Sequence, residues 1–140
     1  MNRTEIAKQL QTVPLFSGLS KKELGAIAGI VKEVHASSGD VLATEGEHGV
    51  GFFLIVDGTA RVVLNGRTKR RLGAGDTFGE IALLDGGPRT ATVVAETDMT
   101  LLGLTAWAFK GVLAEYPSIT LKLLEEVASR LRTASSSVTA

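Results

Sequence analysis

Gly51-Phe52-Phe53-Leu54-Ile55-Val56-Asp57-Gly58-Thr59-Ala60-Arg61-Val62-Val63-Leu64-Asn65-Gly66 is the stretch that decides the fold. Gly51 to Val56 reads as a strand, and Asp57-Gly58 is a hairpin signal. Ala60 to Leu64 returns as the next strand, and Asn65-Gly66 turns the chain again. The same grammar continues outward. Upstream, Val31 to His35 alternates and is turned by Ser37 to Asp40, and Val41 to Thr44 is ended by the Gly/Glu-rich run Glu45 to Gly49. Downstream come Lys69 to Leu72, a Gly73 to Asp76 turn, Thr77-Phe78, Ala91 to Ala95 and Thr100 to Leu104. About eight short strands at this spacing indicate an antiparallel barrel or sandwich. No helical crossover fits between them, which argues against a parallel α/β sheet.

Both ends change period. Residues 3–10 form a short amphipathic helix with Ile6 and Leu10 four apart, and Thr12 to Gly18 is a break holding a small apolar knot. Ser20 and Glu23 have the spacing of a capping box, and Leu24, Ile27, Ala28 and Val31 share one face of the helix that follows. After the strands, Thr105 caps a helix over 106–114. Pro117 suits the first turn of a last helix whose stripe is Ile119, Leu123, Leu124, Val127 and Leu131. The expected layout of 1–140 is thus one domain: N-terminal helices 3–30, strands 31–104, two C-terminal helices within 105–133, and a frayed tail 134–140.

Composition narrows the function. At 140 residues and 14.7 kDa the chain has the length of a single domain. Its 16 glycines suit a turn-rich fold. Lys+Arg and Asp+Glu are both 15, so no basic excess favours a nucleic-acid partner. There is no cysteine, hence no disulfide and no thiolate metal site, which fits a cytoplasmic location. Apolar runs fall well short of the ~20 residues of a membrane span, and the N-terminus has no apolar signal core. His35 and His48 stand alone, one at a strand end and one in a turn. No metal site, nucleophile elbow or Walker loop is present, so neither an enzyme nor a resident cofactor is expected.

One stretch breaks the strand pattern: Gly75-Asp76-Thr77-Phe78-Gly79-Glu80-Ile81-Ala82-Leu83-Leu84-Asp85-Gly86-Gly87-Pro88-Arg89-Thr90-Ala91-Thr92-Val93-Val94. A short apolar helical piece, 81–84, is flanked by Glu80 and by Arg89, which precedes a strand that should enter the core. Partial burial is expected for both, and a buried guanidinium needs an anionic partner. Two readings stand. Glu80 and Arg89 could pair with each other across the turn. Alternatively Arg89 faces a pocket as a fork for a phosphate, Gly79 lets the backbone come close, and amides of the short helix add donors. Glu80 would then accept from a sugar hydroxyl.

The segment Phe78-Gly79-Glu80-Ile81-Ala82-Leu83-Leu84, followed after a gap by Pro88-Arg89-Thr90-Ala91-Thr92-Val93, resembles the phosphate-binding cassette of the cyclic nucleotide-binding domain family. That module occurs in cAMP-dependent protein kinase regulatory subunits and catabolite-activator regulators. Ile81 stands where the family more often has leucine. Gly39-Asp40, Glu45-Gly46 and Phe53 to Val62 resemble the family's first strands, so the likeness covers roughly residues 15–131. It implies an eight-stranded antiparallel β-roll, jelly-roll-like in the manner of a double-stranded β-helix, with flanking helices.

The resemblance also implies roles. Arg89 would bind the exocyclic phosphate oxygens with the amides of Ala82 and Thr90, and Glu80 the ribose 2'-hydroxyl with Gly79 against the sugar. Ile81, Val62, Leu64, Leu72, Thr90, Leu124 and Val127 are the candidates for the base pocket. For Val62, Leu64 and Leu72 a plain core role is an equal alternative. Thr90 does not decide the base, and an apolar wall favours cAMP over cGMP. The final helix could act as lid, dimer contact or simple dock. Only nine residues follow Leu131, so a DNA-binding module is not expected; a stand-alone receptor would signal through an unidentified effector protein. The competing reading is a ligand-free β-roll acting as an interaction module.

Overall fold

The computed structural model describes residues 1–48 and 51–135. Gly49 and Val50, where a turn was expected to end, lie outside the described residues, as do 136–140 of the expected tail. Helix α1 (Arg3–Gln11) is capped by Asn2, which accepts from the Glu5 N–H, and buries Ile6 and Leu10. A single 3₁₀ turn, Pro14–Phe16, leads to α2 (Lys21–Ala28), where Ser20 and Glu23 close the capping box in both directions.

The strands follow: β1 (Lys32–Ala36), β2 (Val41–Ala43), β3 (Gly51–Asp57), β4 (Ala60–Leu64), β5 (Arg67–Leu72), β6 (Thr77–Phe78), β7 (Thr92–Ala95) and β8 (Met99–Thr105). Helix α3 (Glu80–Asp85) interrupts them between β6 and β7, and α4 (Ala106–Glu115) and α5 (Pro117–Ser135) close the described chain. All pairs are antiparallel, in two four-stranded sheets ordered β1-β8-β3-β6 and β2-β7-β4-β5. This is the expected β-roll with flanking helices. The helix of α5 continues through residues 134 and 135, where fraying had been expected.

One turn departs from expectation. Asp57-Gly58 does not close a hairpin: β3 and β4 lie in different sheets. Register slips between Ile55 and Asp57, and the chain then docks on residues 96–98, with the Thr59 N–H donating to Thr97 Oγ1 at 3.0 Å. A Cβ on Gly58 would sit 2.5 Å from the Asp98 carbonyl oxygen, so glycine is needed for this crossing. Asn65-Gly66, by contrast, is a true hairpin turn, with φ of 52° and 76°.

The β1-β8-β3-β6 sheet is covered on both faces, which explains why β3 reads as a continuous apolar run. Phe52, Leu54, Leu102 and Leu104 point out to Leu10, Phe16, Ile27, Phe109, Ile119 and Leu123 of the helical layer. Ile55, Leu72, Val93, Met99 and Leu101 fill the roll interior. Buried Glu23 ties α2 to α5: its carboxylate accepts from Lys122 Nζ at 2.6 Å and from Ser118 Oγ at 2.5 Å. Burial alone would push that carboxyl up; Lys122, Ser118 and Ser20 outweigh it and hold it down at about 2.

Candidate functional site

The interruption between β6 and β7 builds a cavity of about 670 Å³ at the open end of the roll. β6 brings the chain in, held against β3 by the stacked rings of Phe53 and Phe78, 5.2 Å between centroids. Gly79 then adopts φ 88° and starts α3. A Cβ there would lie 2.3 Å from Arg89 Nη1 and 2.5 Å from the Gly51 carbonyl oxygen. The missing side chain is what allows the guanidinium to lie against the turn.

Arg89 is fixed by its backbone: its N–H donates to the Glu47 carbonyl at 2.8 Å, and its own carbonyl accepts from the Gly46 N–H at 2.9 Å. Pro88 forms a β-bridge with His48, whose Nδ1 lies 3.3 Å from the Gly86 carbonyl oxygen. His48 therefore braces the loop. The Arg89 side chain lines the cavity at 8% exposure, and its Nε and Nη1 have no hydrogen-bond partner. Burial pushes the guanidinium below its ordinary pKa. A buried, unpartnered cation of this kind calls for an anion.

Glu80 is not that anion. Of the two readings left open by the residues, the direct Glu80–Arg89 pair is absent. Glu80 Oε1 accepts from the Thr77 hydroxyl, and Oε2 from Arg130 Nη1 of α5 at 3.2 Å. The cavity lining brings together Gly79, Glu80, Ile81, Ala82, Arg89 and Thr90 with Val62, Leu72 and Val127. Two candidates stand outside it. Leu64 lies beyond the register slip between Val62 and Val63, next to the hairpin turn, and Leu124 turns to solvent at 64% exposure. Ile81 is 67% exposed at the rim, whereas Leu72 is buried and belongs to both wall and core.

Sequence reading missed Thr77, Arg70 and Arg130 in the lining. Arg70 had a readable signal, since it sits two residues before inward-facing Leu72 and opposite Val62. Arg130 had none, because its reach to Glu80 depends on how α5 crosses the roll. Among the described residues no three His, Cys, Asp or Glu side chains converge as a metal site, and no helix is long and apolar enough to cross a membrane.

The family profile of the cyclic nucleotide-binding domain matches residues 33–116, a span that contains the Gly79 turn, Glu80 and Arg89. The chain belongs to the cyclic nucleotide-binding domain family. Within it, the chain is 36% identical over 115 residues to a cAMP-dependent protein kinase regulatory subunit of Aspergillus niger; the match covers 79% of this chain and 27% of that one. The chain thus spans about a quarter of that curated relative's length. The N-terminal domain of a transcriptional regulator from Streptomyces coelicolor superposes with a TM-score of 0.84 at 30% identity, over 94% of this chain and 96% of that one. The regulatory domain of Toxoplasma gondii PKA, solved with cAMP, superposes with a TM-score of 0.72 at 26% identity, over 91% and 50% of the two chains.

Proposed function

We propose that this chain is a receptor for a cyclic nucleotide, cAMP in preference to cGMP, with no chemistry of its own. The observation that carries the reading is Arg89, buried with two nitrogens unpartnered at a cavity wall where Gly79 leaves room beside it. A cyclic phosphate supplies both the charge and the acceptors that guanidinium lacks, and its planar fork suits two oxygens at once. The amides of Ala82 and Thr90 complete the cradle. Glu80, on the same lining, accepts from the ribose 2'-hydroxyl, with Gly79 against the sugar.

Val62 and Leu72 form the apolar wall for the base, with Ile81 and Val127 at the rim. An apolar wall suits adenine, whereas the extra carbonyl and amino group of guanine need partners. Arg70 and Thr90 are the polar groups in the lining from which a preference for cGMP would arise. The open cavity speaks against a ligand-free interaction module, which would fill that space with large apolar side chains. Output passes from α5 to an effector protein or to a second copy of the chain, in the cytoplasm and without nucleic acid or membrane. Isothermal titration of nucleotide-free protein with cAMP and then cGMP tests the reading. Saturable one-site binding with cAMP tighter is expected; tighter cGMP reverses the base preference, and no heat with either ligand overturns the receptor.

A further inference from the structure

We infer that the β4–β5 hairpin is a docking surface for an acidic segment of a partner protein, which pairs in extended form with the free edge of β5. The inference does not depend on the receptor reading. Between Gly58 and Gly75 the sequence carries five basic residues, Arg61, Arg67, Lys69, Arg70 and Arg71, and no Asp or Glu. Lys+Arg and Asp+Glu are both 15 over the whole chain, so the rest of the molecule is acidic by five charges. A neutral chain thus sets a third of its cations on one hairpin.

Little in the molecule answers these charges. Arg71 Nε meets Glu96 Oε1 at 3.0 Å, but Arg61, Arg67, Lys69 and Arg70 make no ion pair among the described residues. Arg61 and Arg71 are direct cross-strand partners, an arrangement that costs stability unless an anion lies between them. The slip between Val62 and Val63 leaves Lys69 without a cross-strand partner. β5 also ends its sheet, ordered β2-β7-β4-β5, and Arg67 to Arg71 are all exposed. One row of its backbone N–H and C=O groups therefore has no strand to pair with.

Charge and shape choose the occupant. A second copy would set five cations against five, which opposes self-pairing. Residues 58–75 hold no Phe, Tyr or Trp on which unpaired bases stack, which speaks against nucleic acid. A lipid surface meets a hairpin from one side, whereas these cations stand on both. Arg70 turns to the cavity with Val62, and Arg61 and Arg71 turn to the opposite face. An added strand sends its own side chains alternately to the same two faces. Its carboxylates reach both sets of cations while its backbone fills the open row.

The test uses the full chain and a capped eight-residue peptide alternating Glu and Thr. One control peptide is N-methylated at two adjacent central residues, and another has Lys in place of each Glu. In NMR titration and amide hydrogen exchange at low salt, the Glu peptide at millimolar concentration should shift and protect amides within 67–72. Both controls should bind at least fivefold more weakly. Arg67→Ser with Lys69→Ser should weaken the Glu peptide at least fivefold while thermal unfolding stays unchanged. No binding at millimolar peptide, equal binding of the N-methylated control, or perturbation confined to residues outside 60–72 would overturn the inference. Tighter binding to phosphatidylserine vesicles or to a single-stranded oligonucleotide would assign the hairpin to lipid or nucleic acid, and would overturn it equally.

Discussion

Replacing Arg89 by methionine should stabilise the ligand-free protein while disabling it. The unbranched stem and most of the volume are kept; the charge and the donors are removed. Nε and Nη1 are both buried without partners, and each such group costs about 1–3 kcal/mol of desolvation. Imperfect repacking after a swap of similar volume returns up to about 1.5 kcal/mol. The net gain is then about 0.5–6 kcal/mol, a rise of about 2–20 °C in Tm for a chain of this size. Ligand narrows the gap by about 1.3 kcal/mol. At a concentration of 100 Kd, wild type gains about 2.7 kcal/mol, whereas a variant weakened tenfold, by about 1.4 kcal/mol, gains about half as much. Thermal unfolding followed by circular dichroism, with and without cAMP, reads both effects in one experiment. A variant that is less stable than wild type without ligand and still binds cAMP normally would refute the reasoning, leaving Arg89 as a structural residue.

Two further perturbations address the frame around the site. Glu23→Gln should cost about 1–2 kcal/mol in urea unfolding at pH 7, since it breaks a buried, charge-assisted contact between α2 and α5. Because the folded carboxyl is held at about 2, below its usual 4.5, its stabilisation is complete above pH ~4.5. It is lost as pH falls through about 2, so wild type and variant should converge in acid; a constant gap would contradict the linkage. Gly79→Ala forces a Cβ into the space beside Arg89 Nη1 and the Gly51 carbonyl at a φ of 88°. It should lower stability by about 2 kcal/mol and weaken cAMP at least tenfold in titration; an unaffected variant would show that the turn can relax elsewhere.

Much of this was legible in the residues. Period, turn dipeptides and the capping box of Ser20 and Glu23 gave the elements, because each depends on neighbours in sequence. Asp57-Gly58 misled because a turn dipeptide states that the chain reverses, not which strand receives it; here docking on Thr97 and Asp98 decided the partner. At the site, Gly79, Glu80 and Arg89 stood out as polar or small residues where apolar ones were due. Their partners did not. Arg130 is 50 residues from Glu80, and nothing near Leu131 in the sequence distinguishes it from any solvated helix arginine. The apolar stripe of α5 told which residues are hydrophobic but not that Leu123 is buried while Leu124 is open to solvent.

The pairing scheme has a mechanical consequence. β1 pairs with β8, β2 with β7, β3 with β6 and β4 with β5, so the eight strands are one long hairpin doubled back at Asn65-Gly66 and then rolled up. Such a zipper closes from its tip, and its outermost rungs join residues as distant as Lys32 and Gly103, a slow step for a chain of this topology. The residues between β6 and β7 form a bubble in one arm, with closed rungs on either side. Of its two site residues, Arg89 is tied to the opposite arm by its backbone bonds to Gly46 and Glu47, whereas Glu80, on α3, is not. Displacing the guanidinium through its backbone therefore means breaking cross-strand bonds, whereas displacing Glu80 does not.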